Sequence, residues 1–301
     1  MSPQSVLQIV SLIVLPTILA LWLCVPAARS RLELSAKLAA VGVAFLLLVL
    51  IGAWQWVGYG FRFYLPAIYA VSSSLAMMRG RRLPFVVKAH WRQPVVFGCV
   101  LAMLPVLAGI FLAFAGRASG DGAIELEFPV HGGVYQVGEA GSTRVINHHI
   151  PKGSQKYALD INKLNGLGMR GSLWDTEELG GYEIFGEPVY SPCDGRVAVA
   201  RDNSPDRLYG EAAREGETAG NFVVIECSGV NVWLAHMMRG SILVRRGAQV
   251  VSGEAIGRVG SSGESEAPHL HIHAEGRAGV PVPILFEGKF LVRNAIVRAD
   301  D

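Results

Sequence analysis

The stretch NFVVIECSGVNVWLAHM, residues 221–237, holds two apolar runs separated by Ser228–Gly229. A Ser-Gly pair between runs rich in β-branched residues predicts a β-hairpin closed by a two-residue turn. The second run would deliver His236 from a rigid strand. Similar stretches flank it, IELEFPV at 124–130 and PVYSPCDGRVAVA at 188–200. Val, Ile and Tyr alternate there with Gly, Pro, Asp and Ser, and no amphipathic helical pattern emerges. The spacing predicts an all-β, antiparallel domain over residues 120–301, and about 180 residues are enough for one core. Two segments break the rhythm. NKLNGLGMRGSLWDTEELGGYEIFG, residues 162–186, reads as an insertion or long loop, and residues 203–219 as a second polar loop.

The front of the chain has a different texture. Residues 6–25, 38–57 and 95–115 are apolar runs, each long enough to cross ~30 Å of hydrocarbon as a helix. Residues 63–78 are shorter and contain Pro66 and three serines, which fits a short span or a re-entrant segment. Residues 1–116 are therefore expected to form an α-helical membrane bundle of three or four spans, with lipid as its partner. The first run has no basic residue before it and further runs after it, which argues against a cleaved signal peptide. The whole chain is 51% hydrophobic with a mean hydropathy of +0.35, too apolar for one ordinary soluble domain.

Charge is divided between the halves. Nine basic residues and one acid, Glu33, precede residue 116; eighteen basic residues and twenty-four acids follow it. The basic loops (Arg29, Arg31 and Lys37; Arg79, Arg81, Arg82, Lys88 and Arg92) should face the cytoplasm. Four spans put both loops inside and both termini outside; three spans leave Arg29 and Arg31 outside. Either count places the β-domain on the outer, non-cytoplasmic side of the membrane. Its acidic balance gives no reason to expect nucleic-acid binding. The spans themselves carry almost no ionisable residues, which argues against a transporter.

Seven of the eight histidines fall in the β-domain. In PHLHIHAEG, residues 268–276, His269, His271 and His273 alternate and so share one strand face. Neutral imidazoles with a carboxylate are the donors a zinc hydrolase needs, with one position left for water. Of the four cysteines, Cys24 and Cys99 sit in apolar runs as packing residues. An oxidising compartment would allow Cys193 and Cys227 to pair.

Taken in order, FGEPVYSPCDGRVAV, GNFVVIEC, VWLAHM and GAQVVSGEAIGRVGSSGESEAPHLHIHAE resemble the lysostaphin-type (LytM-type) zinc metallopeptidases of peptidoglycan. The likeness runs over roughly residues 124–275. It implies an antiparallel β-domain with a groove, Zn²⁺ as cofactor and wall peptides as substrate. Residue by residue, it implies that Asp160 and His271 are metal ligands and that His236 and His269 stand beside the water and the substrate carbonyl. The family's first ligand is a histidine four residues before the aspartate, and here that position is Lys156, a poor ligand when protonated. The chain resembles a subgroup reading N-x-H followed by Q-x-Y-A-x-D, matched by Asn147–His149 and Gln155–Asp160. The third ligand is then expected to be His149, with His148 or His273 as alternatives. Only one of two consecutive strand residues can face the metal.

The expected chemistry makes His269 the base and His236 the oxyanion donor, two roles that could be exchanged. His273 is expected beside the site, His131 in a solvated turn and Lys156 on an exposed strand. The enzyme implied is a membrane-anchored zinc endopeptidase. Its rival is a non-catalytic relative that binds wall peptide or regulates another hydrolase, having lost its metal site.

Overall fold

Apolar length dictates the first unit. The structure, a computed structural model, describes residues 3–25, 28–85, 87, 94–172, 178–208, 211 and 216–300. Residues Pro3–Phe114 form one unit and residues from Ala115 onward the other. In the first, α1 (Pro3–Ile9) runs through a π-helical turn, Val10–Val14, into α2 (Leu15–Cys24). Then come α3 (Arg31–Ile51), α4 (Tyr64–Gly80) and α5 (Pro94–Ala115). Three segments, Val6–Cys24, Arg31–Ile51 and Pro94–Ala115, are long and apolar enough to cross a membrane. Large apolar side chains such as Phe97, Leu104 and Phe111 are exposed along α5.

Of residues 63–78, Phe63 ends a short 3-10 segment and the rest belong to a single continuous helix, α4, about 26 Å long at 1.5 Å per residue. It packs on α2 and α3: Thr17 and Tyr64 share a 2.6 Å hydrogen bond, and Tyr69 donates to the Leu38 carbonyl at 3.0 Å. Helix α3 starts with an arrangement close to a capping box, shifted by one residue. The Ser30 hydroxyl accepts from the Glu33 amide at 3.1 Å, and the Glu33 carboxylate accepts from the Arg29 amide at 3.0 Å. Lys37, expected in a loop, is instead buried within α3, 3.6 Å from Glu33 and over the Trp22 ring. Arg31 donates to the carbonyls of Leu83 (3.1 Å) and Arg81 (3.0 Å), and Arg79 to that of Cys24 (3.2 Å). The two basic connections therefore meet at one end of the bundle; Lys88 and Arg92 lie outside the described residues.

The second unit is built from β1 (Ile124–Glu125), β2 (Gly133–Glu139), β3 (Leu159–Leu164), β4 (Pro188–Tyr190), β5 (Gly195–Arg201), β6 (Asn221–Cys227), β7 (Val230–Met237), β8 (Gln249–Val250), β9 (Ala255–Arg258), β10 (Leu270–Glu275), β11 (Pro281–Val282), β12 (Ile284–Leu285) and β13 (Ile296–Ala299). One antiparallel sheet runs β13-β2-β3-β10-β7-β6-β5-β8, with β11 added to β10. Strands β4 and β9 pair separately, and β1 and β12 form a parallel pair. The predicted hairpin is β6–β7, and Ser228 and Gly229 both have positive φ (51° and 81°), as its two-residue turn requires. Leu270, Ile272 and Ala274 of β10 enter the core with Ile161, Ile225 and Leu234. Fully burying each large aliphatic chain contributes about 1.5–3 kcal/mol. Cys193 and Cys227 are disulfide-bonded, with Cα atoms 6.1 Å apart.

Both irregular segments differ in detail from expectation. The first begins at Asn165, because Asn162–Leu164 complete β3; residues 173–177 lie outside the described set. The second is tied down where described: Asn221 bonds both the amide and the carbonyl of Ser204, and Asp206 accepts from Arg239 and Ser261. Buried backbone groups in a long connection need such partners.

Candidate metal centre

The centre of the sheet carries the site. On β10 the core takes every second residue, and the opposite face carries His271 and His273, which are 3% exposed. Buried histidines in register with a buried acid need partners. Here His271 sits directly across from Asp160 on β3, and its Nδ1 is 3.0 Å from Oδ1. His149 Nε2 lies 3.1 Å from both oxygens of Asp160. His269, just before β10, places Nε2 3.5 Å from Oδ1 and is the more accessible group, its side chain 14% exposed against 5% for His149.

His236 arrives by a local irregularity. Register along β6–β7 passes from Phe222–Ala235 to Asn221–Met237, so His236 is bulged out of the ladder, with φ of 61°. Bulges re-aim side chains, and this one turns the ring toward His269, centroids 4.8 Å apart. Its Nδ1–H donates to the Ser262 carbonyl at 2.8 Å, as that of His269 donates to the Ala267 carbonyl at 2.8 Å. Each ring therefore presents Nε2 as a lone pair. Donor atoms of His236, His269 and His271 lie within 4.8 Å of one another, and so do those of His148, His149 and Asp160.

His148 and His149 are set apart by a turn, not by strand alternation. Buried Asn147 donates to the carbonyls of Gly141 (2.9 Å), Lys156 (3.2 Å) and Ala158 (3.2 Å) and accepts from the His149 amide at 3.0 Å. This latch holds His149 against Asp160. The His148 ring lies against that of His149, tilted by 39°, but is 53% exposed and turns to Glu139, 3.4 Å away. Lys156 is not on a strand: it caps a short 3-10 turn, half-buried, with its ammonium 4.9 Å over the Tyr157 ring. His131 is also half-buried, its ring against Tyr190 at 4.5 Å. Before His269, Gly263 takes a left-handed turn conformation (φ 78°), whereas Gly260 is needed for close approach, since a Cβ there would lie 2.4 Å from the Met238 amide.

Electrostatics favour an ionised acid and bias His236, His269 and His271 toward the neutral form. Burial alone would raise the Asp160 pKa, but the charges of His149 and His269 and the hydrogen bonds of His149 and His271 outweigh it and hold the carboxyl well below the usual range. Burial pushes His236 down to about 3, with the neighbouring His269 acting the same way. Burial also lowers His271 and His269, against the opposing pull of Asp160. Neutral imidazoles are the form that binds metal or accepts a proton. Four donors at 2.0–2.1 Å around zinc stand roughly 3.3 Å apart. The 3.0–3.1 Å separations of Asp160 from His271 and His149 fit that spacing.

Residues 182–282 match the model of Peptidase family M23. The match takes in His236, His269 and His271, while His149 and Asp160 precede it. Over 87 residues the chain is 36% identical to the peptidoglycan DD-endopeptidase ShyA of Vibrio cholerae, covering 29% of this chain and 17% of that protein. The chain thus matches about a sixth of the length of that curated relative. A zinc-containing peptidase of known structure from Vibrio cholerae is 34% identical over 34% of this chain and 26% of its own, with a TM-score of 0.26. The catalytic domain of lysostaphin from Staphylococcus simulans is 26% identical over 32% of this chain and 68% of its own, TM-score 0.23.

Proposed function

We propose that this chain is a membrane-anchored, zinc-dependent endopeptidase of the M23 type that hydrolyses peptide bonds in bacterial peptidoglycan. The observation that carries the reading is one buried carboxylate, Asp160, shared by His149 and His271, with the lone pairs of His236 and His269 alongside. The family match over residues 182–282 supports the peptidase class. Zinc held by His149, Asp160 and His271 supplies Lewis acidity toward water and a peptide carbonyl.

The chain's own groups divide the proton work. His269 Nε2, the more accessible lone pair, takes a proton from the attacking water; Asp160, 3.5 Å away, steadies the imidazolium that results. The Nδ1–H bond to Ala267 keeps the ring aimed, so the same nitrogen returns the proton to the leaving amine. His236 Nε2 accepts an O–H of that water and orients it, because its own proton is committed to Ser262. An oxyanion donor role at His236 therefore begins only when Nε2 has gained a proton.

The β-domain, residues 120–301, is placed on the periplasmic side of the inner membrane and residues 1–116 in it. A disulfide suits an oxidising space. Basic connections that meet at one end of the bundle suit four crossings, with those connections in the cytoplasm. The test is zinc analysis and product analysis with purified full-length chain in detergent, acting on isolated peptidoglycan. One zinc per chain and new peptide termini are expected, both lost in His271→Ala. A wild-type chain that takes up no zinc would leave the wall-binding or regulatory reading instead.

A further inference from the structure

The alternation that produced His269 and His271 continues to His273 and Glu275 on the same face of β10. His271 uses Nδ1 toward Asp160, and its Nε2 lies 3.0 Å from His273 Nδ1. His273 Nε2 lies 3.2 Å from Glu275 Oε1. The His273 ring is 3% exposed and lies flat on Trp233, its cross-strand partner on β7, at 5.5 Å and 13°. A histidine enclosed in this way between another ring, an indole and a carboxylate has one orientation open to it.

Proton counting gives the line a direction. A carboxylate can only accept, so Glu275 requires the proton of His273 on Nε2. Neutral His273 then has a lone pair on Nδ1, which requires the proton of His271 on Nε2. Neutral His271 then has its lone pair on Nδ1, aimed at Asp160, another acceptor. Two lone-pair donors face to face repel each other unless a cation lies between them. In the metal-free chain the His271–Asp160 hydrogen bond therefore needs one extra proton on the line; two neutral rings between two carboxylates satisfy every contact only when a metal cation sits at His271 Nδ1.

We infer that His273 and Glu275 are positioning residues, an outer relay that fixes the tautomer of His271 and strengthens it as a metal ligand. The inference rests on the zinc site proposed above, and it gives a role to the third histidine of the motif. Outer partners of metal-bound histidines change metal affinity by about 10- to 100-fold.

The experiment is zinc competition against a chromogenic chelator with the full-length chain in detergent, together with melting of the metal-free protein. His273→Ala and Glu275→Ala should each raise the zinc Kd about 10- to 100-fold. Glu275→Gln, whose amide oxygen still accepts from His273, should recover much of the loss. His273→Asn, which can still accept from His271, should bind better than His273→Ala. His131→Ala serves as the control: its ring packs on Tyr190, away from Asp160, and its zinc Kd should stay near wild type. An unchanged Kd in His273→Ala, with wild-type zinc uptake normal, would overturn the relay alone. So would a Kd that merely follows the metal-free melting temperature across the four variants. A wild-type chain without zinc would remove the metal reading and the relay with it.

Discussion

Replacing His149 by alanine tests the most exacting assignment in the site. His149 Nε2 stands 3.1 Å from both oxygens of Asp160, and its removal takes away one of the three proposed zinc donors. Zinc sites with four protein ligands bind with about 10–16 kcal/mol, or roughly 2.5–4 kcal/mol per ligand. At 1.4 kcal/mol per decade, the zinc Kd should rise about 60- to 700-fold. A second effect adds to the first. Burial works to raise the Asp160 pKa, and His149 is foremost among the groups that oppose it. Without His149 the carboxyl should take up a proton at a higher pH, and zinc uptake should fail sooner on acidification. The assay is chelator competition on the purified full-length chain at two or more pH values. His148→Ala should behave as wild type, since that ring is 53% exposed and faces Glu139. Wild-type affinity in His149→Ala would refute the argument, and a loss confined to His148→Ala would transfer the ligand to the neighbouring residue.

Three further outcomes follow from the geometry. The Cys193–Cys227 bond closes a separation of 34 residues, worth about 4 kcal/mol by chain entropy, so Cys193→Ser with Cys227→Ser should lower the urea midpoint of the β-domain markedly. An unchanged midpoint would mean that the bond is absent or strained. Asn147→Ala strips the latch from the turn, leaving buried carbonyls unpaired at about 1–3 kcal/mol, and zinc affinity should fall along with thermal stability. Equal zinc affinity would detach the latch from the site. In the metal-free chain, His236 is held near 3 while its unfolded form titrates at the ordinary 6.5. The unfolded state therefore binds more protons between those values, and stability should decline as pH falls from 6.5 toward 3. In His236→Gln that part of the decline should vanish, as read by melting temperature against pH.

Period-two patterns made the fold legible. The Ser228–Gly229 hairpin, the antiparallel sheet and the shared face of His269, His271 and His273 all follow from alternation, which survives without tertiary context. The cysteine pair could be named, although only the fold brings Cys193 to the end of β6. The first proposed ligand was harder. Which of two adjacent histidines faces Asp160 depends on Asn147 reaching carbonyls up to eleven residues away, and no local pattern encodes that. Lys156 was misplaced for a related reason: the register of β3 starts only at Leu159, so the residues before it turn instead of extending. Lys37 was read as part of a loop because a charge usually ends an apolar helix, whereas here Glu33 lies one turn before it and neutralises it. The signal for His273 was present, since a carboxylate two residues further along the same face, Glu275, marks a hydrogen-bonded line.

The bulge at His236 has an evolutionary consequence. A left-handed backbone suits glycine, or at times asparagine, and a histidine held there at φ 61° bears a strain of about 1–3 kcal/mol. A library of this chain sorted on foldedness alone should enrich glycine at that position. A library sorted on wall cleavage should retain histidine. The identity of this one residue in a population of related sequences would then report which of the two pressures, folding or chemistry, had been acting on it.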